Sequence, residues 1–171
     1  ALLELGRNDE ALEVFAKVLE LPPDERPSLS RELLFDVEKL YYERGQYDVS
    51  ARLCRWLRED ADTETAYRAN VRLSKILIRK NQLDEARTLL ERMVQRRQKL
   101  EAEGTHSGIA ATEEISSLLG EVLLLLGQTD RAVSAFERTL GKADVGREYK
   151  TRANWGMAKI LMQEGRHEQA R

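Results

Sequence analysis

The hexapeptide GQTDRA, Gly127 to Ala132, recurs along the chain with small changes: GRNDEA from Gly6, GQYDVS from Gly45, NQLDEA from Asn81 and GRHEQA from Gly165. Each copy opens on Gly or Asn, carries an acid three residues later, and sets a small residue five residues on: Ala11, Ser50, Ala86, Ala132 and Ala170. Gly and Asn accept the left-handed backbone that ends a helix. An acid in the first turn of the next helix meets the positive end of its dipole, and a small side chain lets two helices approach closely. Five turns of one kind, each joining two helices, organise the whole chain.

The flanking residues carry helical periodicity on both sides. Four residues past each small residue stand Phe15, Cys54, Leu90 and Phe136, and seven past it Val18, Leu57, Met93 and Thr139. Four before each turn stand Tyr41, Leu77, Leu123 and Leu161, and eight before it Val37, Leu73, Leu119 and Met157. Seven before the turns, Glu38, Ser74, Gly120 and Ala158 are mostly small, as close helix crossing requires. The helix that follows the Asn81 turn is expected to overrun to about Glu103, followed by a loop from Gly104 to Gly108. Thr112 would then start the next helix with its hydroxyl capping free amides.

Composition agrees with this reading. The 171 residues are 42% hydrophobic and 34% charged, and the three prolines, Pro22, Pro23 and Pro27, sit together, so the chain is expected to be a folded all-α protein. The longest apolar run, Val122 to Leu126, is far below the roughly 20 residues of a membrane-spanning helix, so no membrane insertion is expected. No signal peptide is visible, and the start inside an apparent helix, ALLELG, reads as an excised fragment. A soluble protein of the cytoplasm or the periplasm fits equally.

No residue set points to catalysis or to a cofactor. Cys54 reads as a small core residue; His106 and His167 read as turn residues, not spaced for a metal site with each other or with Cys54. GTHSG lacks the lysine of a phosphate-binding loop. Function is expected on a surface, without an enzyme and without a metal.

The Gly/Asn turn, the small residue five on, the aromatics Phe15 and Phe136 and the helix-ending Pro23 together resemble the tetratricopeptide repeat family. Turns here are 39, 36, 46 and 38 residues apart, longer than the family's period of about 34. The aromatic expected early in each first helix is replaced by Leu34, Asn70, Ser116 and Asn154. The resemblance implies a right-handed α-solenoid of antiparallel helix hairpins, one domain over residues 1–171 with about four repeats and partial ends. It also implies a protein-interaction scaffold that holds a peptide on the concave face lined by first helices. Ends cut within a repeat would leave apolar surface through which copies could associate.

On those first helices Arg68, Arg72, Lys75 and Arg79 form one stripe, at a cost of about 0.2–0.5 kcal/mol per like-charged pair unless acids face them. Thirteen residues before successive turns stand Glu32, Arg68, Glu114 and Arg152. Nine before stand Asp36, Arg72, Leu118 and Gly156, and six before stand Lys39, Lys75, Glu121 and Lys159. Arg68 and Arg72 would therefore have Glu32, Asp36 and Glu114 beside them. Residues 1–66 hold 9 basic and 16 acidic side chains (net −7), residues 67–99 hold 10 and 3 (+7), and residues 100–171 hold 9 and 11 (−2). The stripe is either paired within the fold or open to an acidic peptide, and by resemblance Arg68 and Arg72 match the last cationic pair of such a clamp.

A second row, three before the turns, is Tyr42, Ile78, Leu124 and Met162, joined by Phe35 and Trp155 ten before theirs. An apolar strip flanked by charge suits a docked peptide, and packing between repeats would use the same residues; Trp56, on a second helix, fits packing better. Two rival functions remain: a sensor binding a small molecule or signalling peptide, and nucleic-acid binding through RRQK, Arg96 to Lys99. The acidic neighbours and the net charge of −2 argue against nucleic acid.

Overall fold

The computed structural model describes residues 6–58, 63–104, 112–141, 145–163 and 165. In chain order they form α1 (Asn8–Glu20), a 3-10 turn (Pro23–Glu25), α2 (Arg31–Glu43), α3 (Tyr47–Leu57), α4 (Thr63–Arg79), α5 (Leu83–Ala102), α6 (Thr112–Leu125), α7 (Thr129–Leu140) and α8 (Arg147–Gln163). No strand occurs among the described residues, and none of the helices is long and apolar enough to cross a membrane.

The repeated turn does what its residues dictate. Gly45 and Gly127, at φ +72°, and Asn81, at +58°, take the left-handed conformation. In each case the turn residue's N–H returns to the carbonyl three back (Tyr42, Ile78, Leu124), and the next N–H returns five back to Tyr41, Leu77 and Leu123, at 2.9–3.0 Å. This double closure satisfies the last carbonyls of the first helix. The following glutamine caps the second helix without a side-chain bond, and Asp48, Asp84 and Asp130 fall in its first turn. Ala11, Ser50, Ala86 and Ala132 are all buried.

By contact the chain divides into two compact units, Ala1–Ala69 and Asn70–Arg171, with α4 running through the boundary. The first unit packs α1, α2, α3 and the start of α4 around Leu12, Phe15, Leu19, Leu34, Val37, Tyr41, Leu53, Leu57 and Ala69. The Tyr41 hydroxyl donates to the Leu12 carbonyl at 2.7 Å, and Arg44–Asp9 (2.6 Å) and Arg52–Glu20 (3.2 Å) hold α1 to the hairpin. Glu38 departs from the small-residue row: it is fully buried, and Ser50 donates its hydroxyl to the Glu38 carboxylate at 2.6 Å. A serine at the crossing makes room for the acid and supplies a donor that its burial requires.

In the second unit α6 is central, packing on α5, α7 and α8, while α7 also packs on α8. Arg131 of α7 reaches Glu91 of α5 at 2.7 Å. Helix α5 ends at Ala102, capped by Glu103, close to the expected end; residues 105–108 of the expected loop lie outside the described residues, as do His106 and His167. Thr112 begins α6, with its hydroxyl donating to Glu101 at 3.3 Å. Cys54 is buried in the core, as its spacing implies.

Candidate peptide-binding groove

Two first helices of the second unit present their chemistry in register. On α6, Glu114, Ser117, Glu121 and Leu124 share one stripe; on α8, Glu148, Arg152, Trp155, Lys159 and Met162 do. The end nearest the helix starts is polar. Glu114, whose side chain is only 12% exposed, accepts from Lys75 of α4 at 2.8 Å and bonds the Tyr149 hydroxyl. Burial, then the charges of Glu114 and Glu148, push the Tyr149 hydroxyl above the usual tyrosine range, with Arg152 opposing. Arg152 is shared among the Ser117 hydroxyl (3.3 Å), Glu121 (3.5 Å) and Glu148 (3.2 Å).

Beyond Arg152 the surface turns apolar and opens into a pocket of about 220 Å³, lined by Glu121, Leu124, Phe136, Arg152, Trp155 and Gly156. Its floor has a clear origin. Phe136 of α7 is buried with its ring against both Gly120 of α6 and Gly156 of α8, where an added Cβ would lie 2.4 and 2.3 Å from ring carbons. Two interior helix glycines, each at a propensity cost of about 1 kcal/mol relative to alanine, make the socket for one aromatic ring. The Trp155 side of the pocket is left facing solvent. Trp155 is 56% exposed and Met162 57%, with Leu125 of α6 similarly open. The Lys159 ammonium lies over the Trp155 ring, 3.7 Å from its centre.

The structure sorts the remaining sequence candidates. Leu124 and Trp155 meet in the pocket, with Lys159 on Trp155. Lys75 is engaged by Glu114, which the sequence had offered to Arg68 and Arg72 instead. Lysine and carboxylate reach each other with both side chains mostly shielded from water, which favours this pair. Arg68 lies over the Phe35 ring at 4.4 Å within the first unit, while Glu32 and Asp36 are exposed. Arg72 and Arg79 both have interaction partners and are not free cations. Tyr42 is half-buried edge-on to Tyr47, and Ile78 is half-buried. Trp56 packs half-buried under the Arg26 guanidinium. Gly156 and Phe136 were not singled out as site residues; the available signal was a glycine inside a helix, away from any turn.

Helix pairs joined by one repeated left-handed turn now stand beside the sequence comparison: a model described as tetratricopeptide repeat matches residues 39–100 and 116–171, and a second so described matches residues 1–25. The chain belongs to the tetratricopeptide repeat family. No curated protein matches it in sequence. Solved structures of MamA share its fold. One is 20% identical over 99% of this chain and 85% of that one, with a TM-score of 0.66. MamA MSR-1 is 22% identical over 99% and 84%, at 0.60, and MamA AMB-1 is 22% identical over 99% and 86%, at 0.61. These likenesses place the chain in the all-α solenoid class, and repeats of this family serve generally as protein-interaction scaffolds.

Proposed function

We propose that the chain captures a segment of a partner protein along the first-helix face of its second unit, with the Leu124–Trp155 pocket as anchor. The observation that carries this reading is Trp155, more than half exposed beside a preformed apolar pocket. Large aromatics in such settings are where interfaces concentrate their binding energy. At about 220 Å³ the pocket falls below the roughly 300–1,000 Å³ of small-molecule sites and suits a single side chain. The sensor alternative has one observation in its favour: a groove of about 410 Å³ in the first unit, with Leu12, Leu19, Tyr41 and Val49 along it and the Asp9–Arg44 and Glu20–Arg52 pairs beside it.

The test is selection of displayed twelve-residue peptides on the intact chain, followed by affinity measurement on Trp155→Ala and Leu124→Trp. Selected peptides should lose at least about tenfold on either variant, while thermal midpoints stay close to the parent. Peptides indifferent to both substitutions would refute the groove.

A further inference from the structure

The groove is electrically polar along its length, and the polarity specifies a ligand pattern. At one end Arg152 is outnumbered by the two carboxylates it touches, Glu121 and Glu148, leaving that triad one negative charge in surplus. At the other end Lys159 is exposed over Trp155 and has no carboxylate partner among the described residues. Along α8 the pocket residues Trp155 and Gly156 lie between Glu148 and Lys159, and Glu121 and Arg152 line the pocket on the acidic side.

Resting on the reading above, we infer that the groove selects a partner segment bearing a cation, a large apolar side chain and an acid, in that spatial order. A helix rises about 1.5 Å per residue, so Glu148 lies about 10 Å and Lys159 about 6 Å from Trp155 along α8. An extended ligand spans about 3.3 Å per residue. The cation then falls about three residues to one side of the anchor, and the acid about two residues to the other. A uniformly acidic segment meets repulsion at the Glu121–Arg152–Glu148 end, and a uniformly basic one meets it at Lys159.

The experiment titrates the intact chain with four synthetic octapeptides and follows the Trp155 indole and Gly156 amide resonances. The first is Ser-Lys-Ser-Gly-Phe-Ser-Glu-Ser; the others replace Lys by Glu, Glu by Lys, or Phe by Ala. The Lys/Phe/Glu peptide should bind tightest. Each charge replacement should weaken it about threefold at low salt, and Phe→Ala about tenfold or more. In Lys159→Ala the Lys/Phe/Glu and Lys/Phe/Lys peptides should become equal within error. If the uniformly acidic or uniformly basic peptide binds as tightly as the mixed one, or Lys159→Ala keeps the difference, the charge order is refuted while anchoring by Phe stands. If the Phe and Ala peptides bind alike, or none shifts these resonances, the anchor reading falls too.

Discussion

The hairpins α2–α3 and α6–α7 share one turn and differ at the crossing above it. In both, a left-handed glycine closes the first helix with the same pair of hydrogen bonds, and an aspartate enters the first turn of the second. Seven residues before that turn, however, one has Glu38 and the other Gly120. Glu38 is buried against the Ser50 hydroxyl, whereas Gly120 makes way for the ring of Phe136. The turn is a local property, satisfied by two or three residues. The crossing is a property of pairs, so its fillers change together and can be polar in one hairpin and aromatic in another. The aromatic solution also builds a pocket floor.

The sharpest way to break this contrast is at the socket. Phe136→Ala should cost about 3–5 kcal/mol in chemical denaturation, through the cavity it leaves. Gly120→Ala should cost about 1–3 kcal/mol by overpacking, and much less when Phe136 is already leucine. Strict additivity of the two would show that ring and glycine do not share one space. At the other crossing, Ser50→Ala should cost about 1–3 kcal/mol by taking a donor from a buried carboxylate. The double variant Glu38→Ala/Ser50→Ala should cost less than the sum of the singles by at least about 0.5 kcal/mol.

The turns should behave alike, whichever hairpin they serve. Gly127→Ala, with open space around the new Cβ but φ at +72°, should cost about 1–2 kcal/mol from backbone conformation alone. Asn81→Gly, where the native residue already tolerates the left-handed region, should stay within about 0.5 kcal/mol of the parent. The smallest effect concerns the polar end of the groove. Because the fold holds the Tyr149 proton more tightly than the unfolded chain does, its contribution is intact below pH 10.0 and is lost as pH rises through the folded value. Tyr149→Phe should therefore flatten part of the fall in thermal midpoint above about pH 10. Tyr41, raised by burial, keeps a fall in the variant.

The fold was legible because its signals are short-range and repeated. The left-handed positions, the acids that follow them and the buried Ala86 and Leu90 could all be named by counting from Gly or Asn. The site was legible in part. The row three before each turn named Leu124 and Met162, and the row ten before named Trp155, but no count from a turn separates residues that pack from residues that stay open. Ile78 and Leu124 occupy equivalent positions counted from their turns, and what places Leu124 at a pocket is remote in sequence: Gly156 of α8 faces the Phe136 ring there. Charge pairing was equally out of reach: Glu114 could have met Arg68, Arg72 or Lys75, and chain geometry chose Lys75.

From residues alone follow the all-α class, the left-handed turns at Gly45, Asn81 and Gly127, and the helices on both sides of each. Each depends on interactions within a few residues, where backbone conformation and helical spacing leave little choice. Tertiary packing decided which cations are spent inside the fold, that the glutamate at one crossing is buried against a serine hydroxyl, and that two glycines seat one phenylalanine beneath Trp155. Those outcomes depend on side chains far apart in sequence meeting at van der Waals distance, and one-dimensional spacing does not encode that distance.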